Sequence, residues 1–169
     1  PDAMADTSGP GGGQYVTQHL ALAEHLMSQI AVRAGRDLPW ELVFQSRSGP
    51  PQVPWLEPDI NDRIEELAAD GVREVVVAPI GFVSDHMEVV QDLDTEARAT
   101  ADGCGLRFHR VPTVGDHPAF VRGLAQSVRS VRDGHAPQTV FGTPLPTPCV
   151  AGCCPNARVQ RPALCEATS

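Results

Sequence analysis

The sequence predicts an α/β domain with a largely parallel sheet, on three observations. Apolar runs at 40–46 (WELVFQS), 72–80 (VREVVVAPI) and 106–112 (LRFHRVP) read as strands. Stretches with apolar residues at helical spacing alternate with them at short intervals, the pattern of a sheet flanked by helices. The chain has 169 residues, 41% of them hydrophobic, enough for one domain with a core of its own.

Each element follows in order. Residues 1–13 are Gly-rich and polar and read as loop. From Gln14 to about Ala34, Val16, Leu20, Leu22, Ala23, Leu26, Met27 and Ile30 recur at helical spacing, and Pro39 ends that region. The strand at 40–46 leads into a Pro-rich loop, 47–58, that carries Trp55. Residues 59–70 form a helix, with Asp59 and Asn61 as candidate caps and Gly71 as the stop. The strand at 72–80 is the central, buried one. A helix begins near Asp85 and runs to about Ala101, closed by the Asp-Gly-Cys-Gly stretch. The strand at 106–112 and a last helix at 117–133 complete the domain, residues 1–133. Residues 134–169, rich in proline and holding four of the five cysteines, read as an extended tail.

Charge and composition narrow the function. The net charge is −8 and the sequence carries no basic patch, so nucleic acid is not an expected partner. No apolar run approaches the roughly 18 residues needed to cross a bilayer. The given N-terminus does not show the pattern of a signal peptide, so a soluble, cytoplasmic protein is expected. It opens on Pro1 rather than Met, in wording like a loop cut from something longer, so a piece of a larger polypeptide is expected.

The loops at 47–58 and 81–88 both leave carboxyl ends of strands, where parallel sheets bind ligands. The second runs into a helix dense in acids: Asp85, His86, Glu88, Asp92, Asp94 and Glu96. Glu88, Asp92 and Glu96 stand at i, i+4 and i+8, one stripe on an α-helix with about 6 Å between steps. Like charges so placed need solvent or a cation. A solvated face satisfies the pattern, and so does a ladder of hard oxygen ligands for a divalent metal. His86 reads equally as a helix-start histidine bonded to backbone. Asp85 reads as a cap or first-turn acid, and Phe82 and Met87 as core. Trp55 sits in a loop where no regular element demands an aromatic, which favours a binding role. Arg47 is a surface charge or a contact for an anionic group.

Two stretches, QSRSGPPQVPWLEPDI (45–60) and PIGFVSDHMEVVQDLDTEA (79–97), closely resemble the C-terminal half of ferrochelatases, which insert ferrous iron into a porphyrin in haem synthesis. The wording of the first resembles the actinobacterial branch, whose substrate is coproporphyrin III, with protoporphyrin IX as the other family substrate. The resemblance covers roughly residues 1–133 and implies a three-layer, Rossmann-like chelatase fold. It implies that Glu88 handles metal and acts in catalysis with His86, and that Asp92 and Glu96 continue the metal path. It implies that Trp55 and Phe82 pack on the macrocycle, with Ser46 and Arg47 on the substrate. The family's other metal-site histidine belongs to a motif whose last residue matches Pro1. That histidine and the first α/β domain are therefore expected upstream, and this chain is expected to be half an enzyme. Fe²⁺ enters as substrate.

For the tail, Cys149, Cys153, Cys154 and Cys165 carry three open readings: reduced thiols, a zinc site, or the [2Fe–2S] cluster that some ferrochelatases hold. Side chains of adjacent Cys153 and Cys154 diverge in an extended chain, so three tail ligands and one upstream cysteine are the expected set for a cluster. Cys104, between glycines, reads as a small spacer. Two rivals to the enzyme reading stand beside it. One is a chelatase for another tetrapyrrole such as sirohydrochlorin, with cobalt or iron. The other is a non-catalytic metal- or haem-binding α/β module.

Overall fold

The computed structural model describes residues 1–136, 139–140, 150 and 152–156. Among the described residues, six α-helical segments and two strands follow in the order α1 (Asp2–Asp6), α2 (Gln14–Ala34), α3 (Ile60–Ala69), β1 (Glu74–Val77), α4 (Met87–Val89), α5 (Arg98–Gly103), β2 (Arg107–Arg110) and α6 (Pro118–Arg132). Between α4 and α5 the helix runs on without a break as a π-helical stretch, Val90–Ala97. The α/β class holds, with a small parallel sheet. β1 and β2 pair in register Glu74↔Arg107, Val75↔Phe108, Val76↔His109, Val77↔Arg110.

Local chemistry accounts for most boundaries. Asp59 caps α3 by accepting from the Asn61 N–H at 2.8 Å, and Gly71, at φ 84°, turns the chain out of it. α6 starts on Pro118 after His117, whose Nδ1 accepts from the Ala119 N–H, and carries Arg129 and Arg132 in its last turn.

Three expectations need correction. Residues 2–6, read as loop, form α1. The helix is only five residues long, tied down by the Asp2 N–H donating to the Pro54 carbonyl at 3.2 Å. The run 40–46 is not a strand of the sheet. Only Phe44 makes a bridge, exchanging 2.9 Å bonds with the Pro58 carbonyl and the Ile60 N–H. Two residues later Ser46, at φ 68°, turns the chain out of the extended region and ends any ladder. β1 is accordingly not central: among the described residues it pairs only with β2.

The core lies between α3, the long helical run and one face of the sheet. Ile60 and Ile64 meet Val89, Leu93, Ala97 and Ala101, and Leu106 and Phe108 close it from β2. The four residues of the helical run are spaced by four and all are buried, none more than 1% exposed. On an α-helix, residues four apart advance about 40° beyond a full turn, so three such steps would carry the line off the core. In a π-helix, with i→i+5 bonds, four residues fall short of a full turn instead. Placing that stretch between two α segments cancels the drift and keeps the line straight. The opposite face of the sheet carries exposed Val76, Arg107 and His109. No described residue of α2 or α6 is buried. No helix among the described residues is long and apolar enough to cross a membrane.

Candidate functional site

The chain leaves β1 at Val77 and reaches the helix at Met87, and His86 is the cap. Its Nδ1 accepts from the Val89 N–H at 3.4 Å, and its ring meets Phe82 edge-on, centroids 4.8 Å apart. That fixes the imidazole at the junction while leaving it exposed. Glu88, in the first turn, is exposed and has no hydrogen-bond or ion-pair partner among the described residues. Asp85 does not cap the helix. Its Oδ1 accepts from Arg110 Nη1 at 2.7 Å and from the Thr113 N–H at 3.3 Å. The same guanidinium grips Asp94, Nε to Oδ1 at 2.8 Å and Nη2 to Oδ2. That hydrogen-bonded fork holds the Asp94 carboxyl below its ordinary range, against the opposing effect of burial.

Asp92 and Glu96 lie further along the helix. Asp92 Oδ2 accepts from the Ser46 hydroxyl in a short hydrogen bond and from Gln45 Nε2 at 3.4 Å. Ser46 reaches it because its left-handed backbone aims the side chain at the helix. Glu96 Oε1 accepts from Gln91 Nε2 at 3.1 Å, an i, i+5 pair brought together by the π geometry. Glu88, Asp92 and Glu96 thus share one side of the helix, beside the buried line. No group of three or more His, Cys, Asp and Glu side chains among the described residues converges on one point.

Trp55 lies in a concavity of about 390 Å³ with Arg47, Asp2, Asp6, Pro54, Leu56 and Glu57. Arg47 is held there by Nη2 donating to the Pro51 carbonyl at 3.0 Å. The indole Nε1 and Asp2 Oδ1 are buried atoms with no hydrogen-bond partner among the described residues. Phe82 does not line this wall. It packs on the core and on His86. The structure therefore forms two clusters, His86–Phe82 with Glu88 and Arg47–Trp55. The consecutive residues Ser46 and Arg47 connect them, one side chain on Asp92 and the other in the concavity.

Of the tail cysteines, Cys149 and Cys165 lie outside the described residues. Cys153 is buried, and Cys154 Sγ accepts from the Gly9 N–H at 3.0 Å. The expected divergence of the adjacent pair does not occur. Cys154 sits at φ 52°, which breaks the alternation of an extended chain, and the two Sγ atoms are 3.7 Å apart. Two thiolates on one tetrahedral metal at about 2.3 Å each stand roughly 3.8 Å apart, so this pair fits two ligand positions of a single ion. Cys104 is exposed, as a spacer would be.

Sequence reasoning missed Arg110, Gln45 and the two aspartates of α1. Arg110 takes its face from the pairing of β2 with β1, because alternate residues of a strand share a face, and the sequence alone does not show that pairing. Phe108 and Arg110 point toward the helical core, whereas Arg107 and His109 meet Glu74 on the other face. The docking of α1 had no sequence signal.

Comparison with known proteins gives one family. The ferrochelatase family model matches residues 1–131. The chain is 51% identical over 168 residues to the coproporphyrin III ferrochelatase of Propionibacterium freudenreichii subsp. freudenreichii, covering 97% of this chain and 47% of the relative. It is 48% identical to the protein of that name from Streptomyces griseus subsp. griseus, over 100% of this chain and 48% of the relative. For that of Leifsonia xyli subsp. xyli the identity is 47%, over 99% of this chain and 44% of the relative. The chain spans about half the length of the curated relatives it matches.

Proposed function

The chain belongs to the ferrochelatase family, and from that premise we propose that it forms the C-terminal half of an enzyme that inserts Fe²⁺ into coproporphyrin III. One observation supports the reading above others: Glu88, uncommitted and exposed, stands directly behind His86 past the carboxyl end of β1, on the motif the family uses for metal. Residues 1–133 make the chelatase half, and an upstream half of the same polypeptide completes the porphyrin cleft. The setting is cytoplasmic.

The reaction needs the macrocycle held, two pyrrole N–H protons removed and the iron stripped of water. Fe²⁺ replaces two protons on the porphyrin, so charge balances without an oxidant. Glu88 is the proton acceptor for a pyrrole N–H and the last carboxylate to touch iron. Hard carboxylate oxygens hold borderline Fe²⁺ without trapping it, which lets the nitrogen ligands win. Asp92 and Glu96 supply further oxygens along the same side of the helix. Trp55 gives a flat apolar wall, and Arg47 pairs with a substrate carboxylate. Coproporphyrin III carries four propionates, which suits an arginine at the rim.

The test uses the full-length polypeptide. Glu88→Gln is expected to abolish most iron insertion while porphyrin binding, read by fluorescence quenching, stays near the wild-type level. Near-normal turnover in the variant removes Glu88 from the mechanism. For the tail, a [2Fe–2S] cluster would take Cys153 and Cys154, with Cys149, Cys165 or an upstream cysteine completing the set. When bound, such a cluster supplies one-electron chemistry and a clip on the tail. Acid-labile sulfide in protein purified without oxygen is the expected result, and its absence leaves zinc or thiols.

A further inference from the structure

We propose that Arg110 is the positioning residue of the metal-handling segment, locking the junction that carries His86 and Glu88 to the parallel sheet. This deepens the reading given to Glu88 above and rests on it.

The segment from 78 to 86 has no ladder of its own. It is fastened from the end of β2 and the stretch after it: the Gly115 N–H donates to the Val83 carbonyl at 2.9 Å, and Asp85 takes the Thr113 N–H and Arg110. Arg110 is itself rigidly placed. It is in register with Val77, and the next N–H, Val111, donates to the Val77 carbonyl at 2.8 Å. Its side chain is 13% exposed and its planar fork is filled on two sides. Nε and Nη2 hold Asp94 within the helix, while Nη1 holds Asp85 ahead of it. His86 and Glu88 lie between those two points. One guanidinium thus sets both the height of the helix and the angle at which the chain enters it. A lysine keeps the charge and loses the second grip, because an ammonium cannot match two carboxylates in one plane.

The same strand provides a control. Arg107 makes the same kind of fork with Glu74, at 3.2 and 2.9 Å, but on the opposite, exposed face of β2. It touches nothing in the site.

Three variants of the full-length polypeptide test the inference: Arg110→Lys, Asp85→Asn and Arg107→Gln. Misplacing a catalytic group by about 1 Å costs on the order of 10²-fold, so Arg110→Lys is expected to lower kcat roughly 10- to 100-fold. Asp85→Asn, which cuts only the grip ahead of the helix, is expected to lower kcat by a smaller factor. In both, KM for porphyrin stays within about threefold, since substrate binding is not what is lost. Arg107→Gln keeps wild-type kcat. Amide hydrogen exchange at Met87 and Val89 is expected to quicken in the first two variants and not in the third. Wild-type kcat in folded Arg110→Lys and Asp85→Asn overturns the proposal, as does an equal kcat loss in Arg107→Gln. Should Arg110→Lys fail to fold, Asp85→Asn decides alone. If the wild-type polypeptide inserts no iron, the functional reading falls. Exchange at Met87 and Val89 still tests the lock, and unchanged exchange in Asp85→Asn overturns it.

Discussion

Leu93→Ala strikes the helix that carries the carboxylates without touching any of them. Leu93 is 1% exposed and sits mid-way along the buried line, with Val89 before it and Ala97 after it. The substitution removes three carbon atoms. At about 0.8 kcal/mol for each buried carbon the transfer loss alone is ~2.4 kcal/mol. The cavity adds to this, because its lining cannot close in. Ala97 and Ala101 are too short to fill the space, and the facing residues Ile60, Ile64 and Phe108 belong to other elements held by their own backbone bonds. The expected loss is therefore about 3–4 kcal/mol, in the middle of the range for leucine truncation. Equilibrium urea unfolding, followed by far-ultraviolet circular dichroism, reads it as a lower midpoint at unchanged slope. Leu93→Met, which conserves volume, should lose less than about 1.5 kcal/mol. A loss under about 1 kcal/mol for Leu93→Ala would refute the packing argument, and with it the claim that the π-helical stretch holds this line in the core.

Two further outcomes are expected. If Asp92 and Glu96 deliver metal, the double variant Asp92→Asn, Glu96→Gln raises KM for Fe²⁺ roughly tenfold while that for porphyrin moves little; equal effects on both would reduce the pair to a solvated face. The Glu74 carboxyl is lowered from 4.5 to about 2, first by the Arg107 hydrogen bond and then by that of His109. A folded value below the unfolded one means the stabilisation is complete above about 4.5 and is lost as the pH falls through about 2. Thermal melts of wild type and Glu74→Gln should therefore converge on acidification from pH 5 to pH 2. The gap is small because the pair is exposed, and parallel curves would show that the pair contributes nothing.

Much of the fold was legible because the signals were local. The span of α2 matches its apolar spacing, Gln14 to Ala34, and Asp59 caps α3 where its side chain and position require. The stretch 79–97 spans the junction where the chain leaving β1 enters a helix, with His86 as its cap and Glu88 in its first turn. What was not legible depended on long-range bonding. An apolar spacing of four looks like an imperfect α-helix, so the π-helical stretch went unread. Phe44 has strand chemistry, but the backbone that meets it is 58–60, and Ser46 bends away after it. Arg110 looks like any strand charge until the register with Val77 shows which face it takes. The pairing of Ser46 with Asp92 joins residues 46 apart and has no periodic signature.

On an ordinary α-helix, carboxylates four apart would wind about the axis by roughly 40° per step, and the third would look some 80° away from the first. The wider turn of Val90–Ala97 removes most of that winding. Glu88, Asp92 and Glu96 then form a rail parallel to the axis rather than a corkscrew. A single flat surface can lie against all three, and on the proposed metal path a cation would move in translation, without circling the helix.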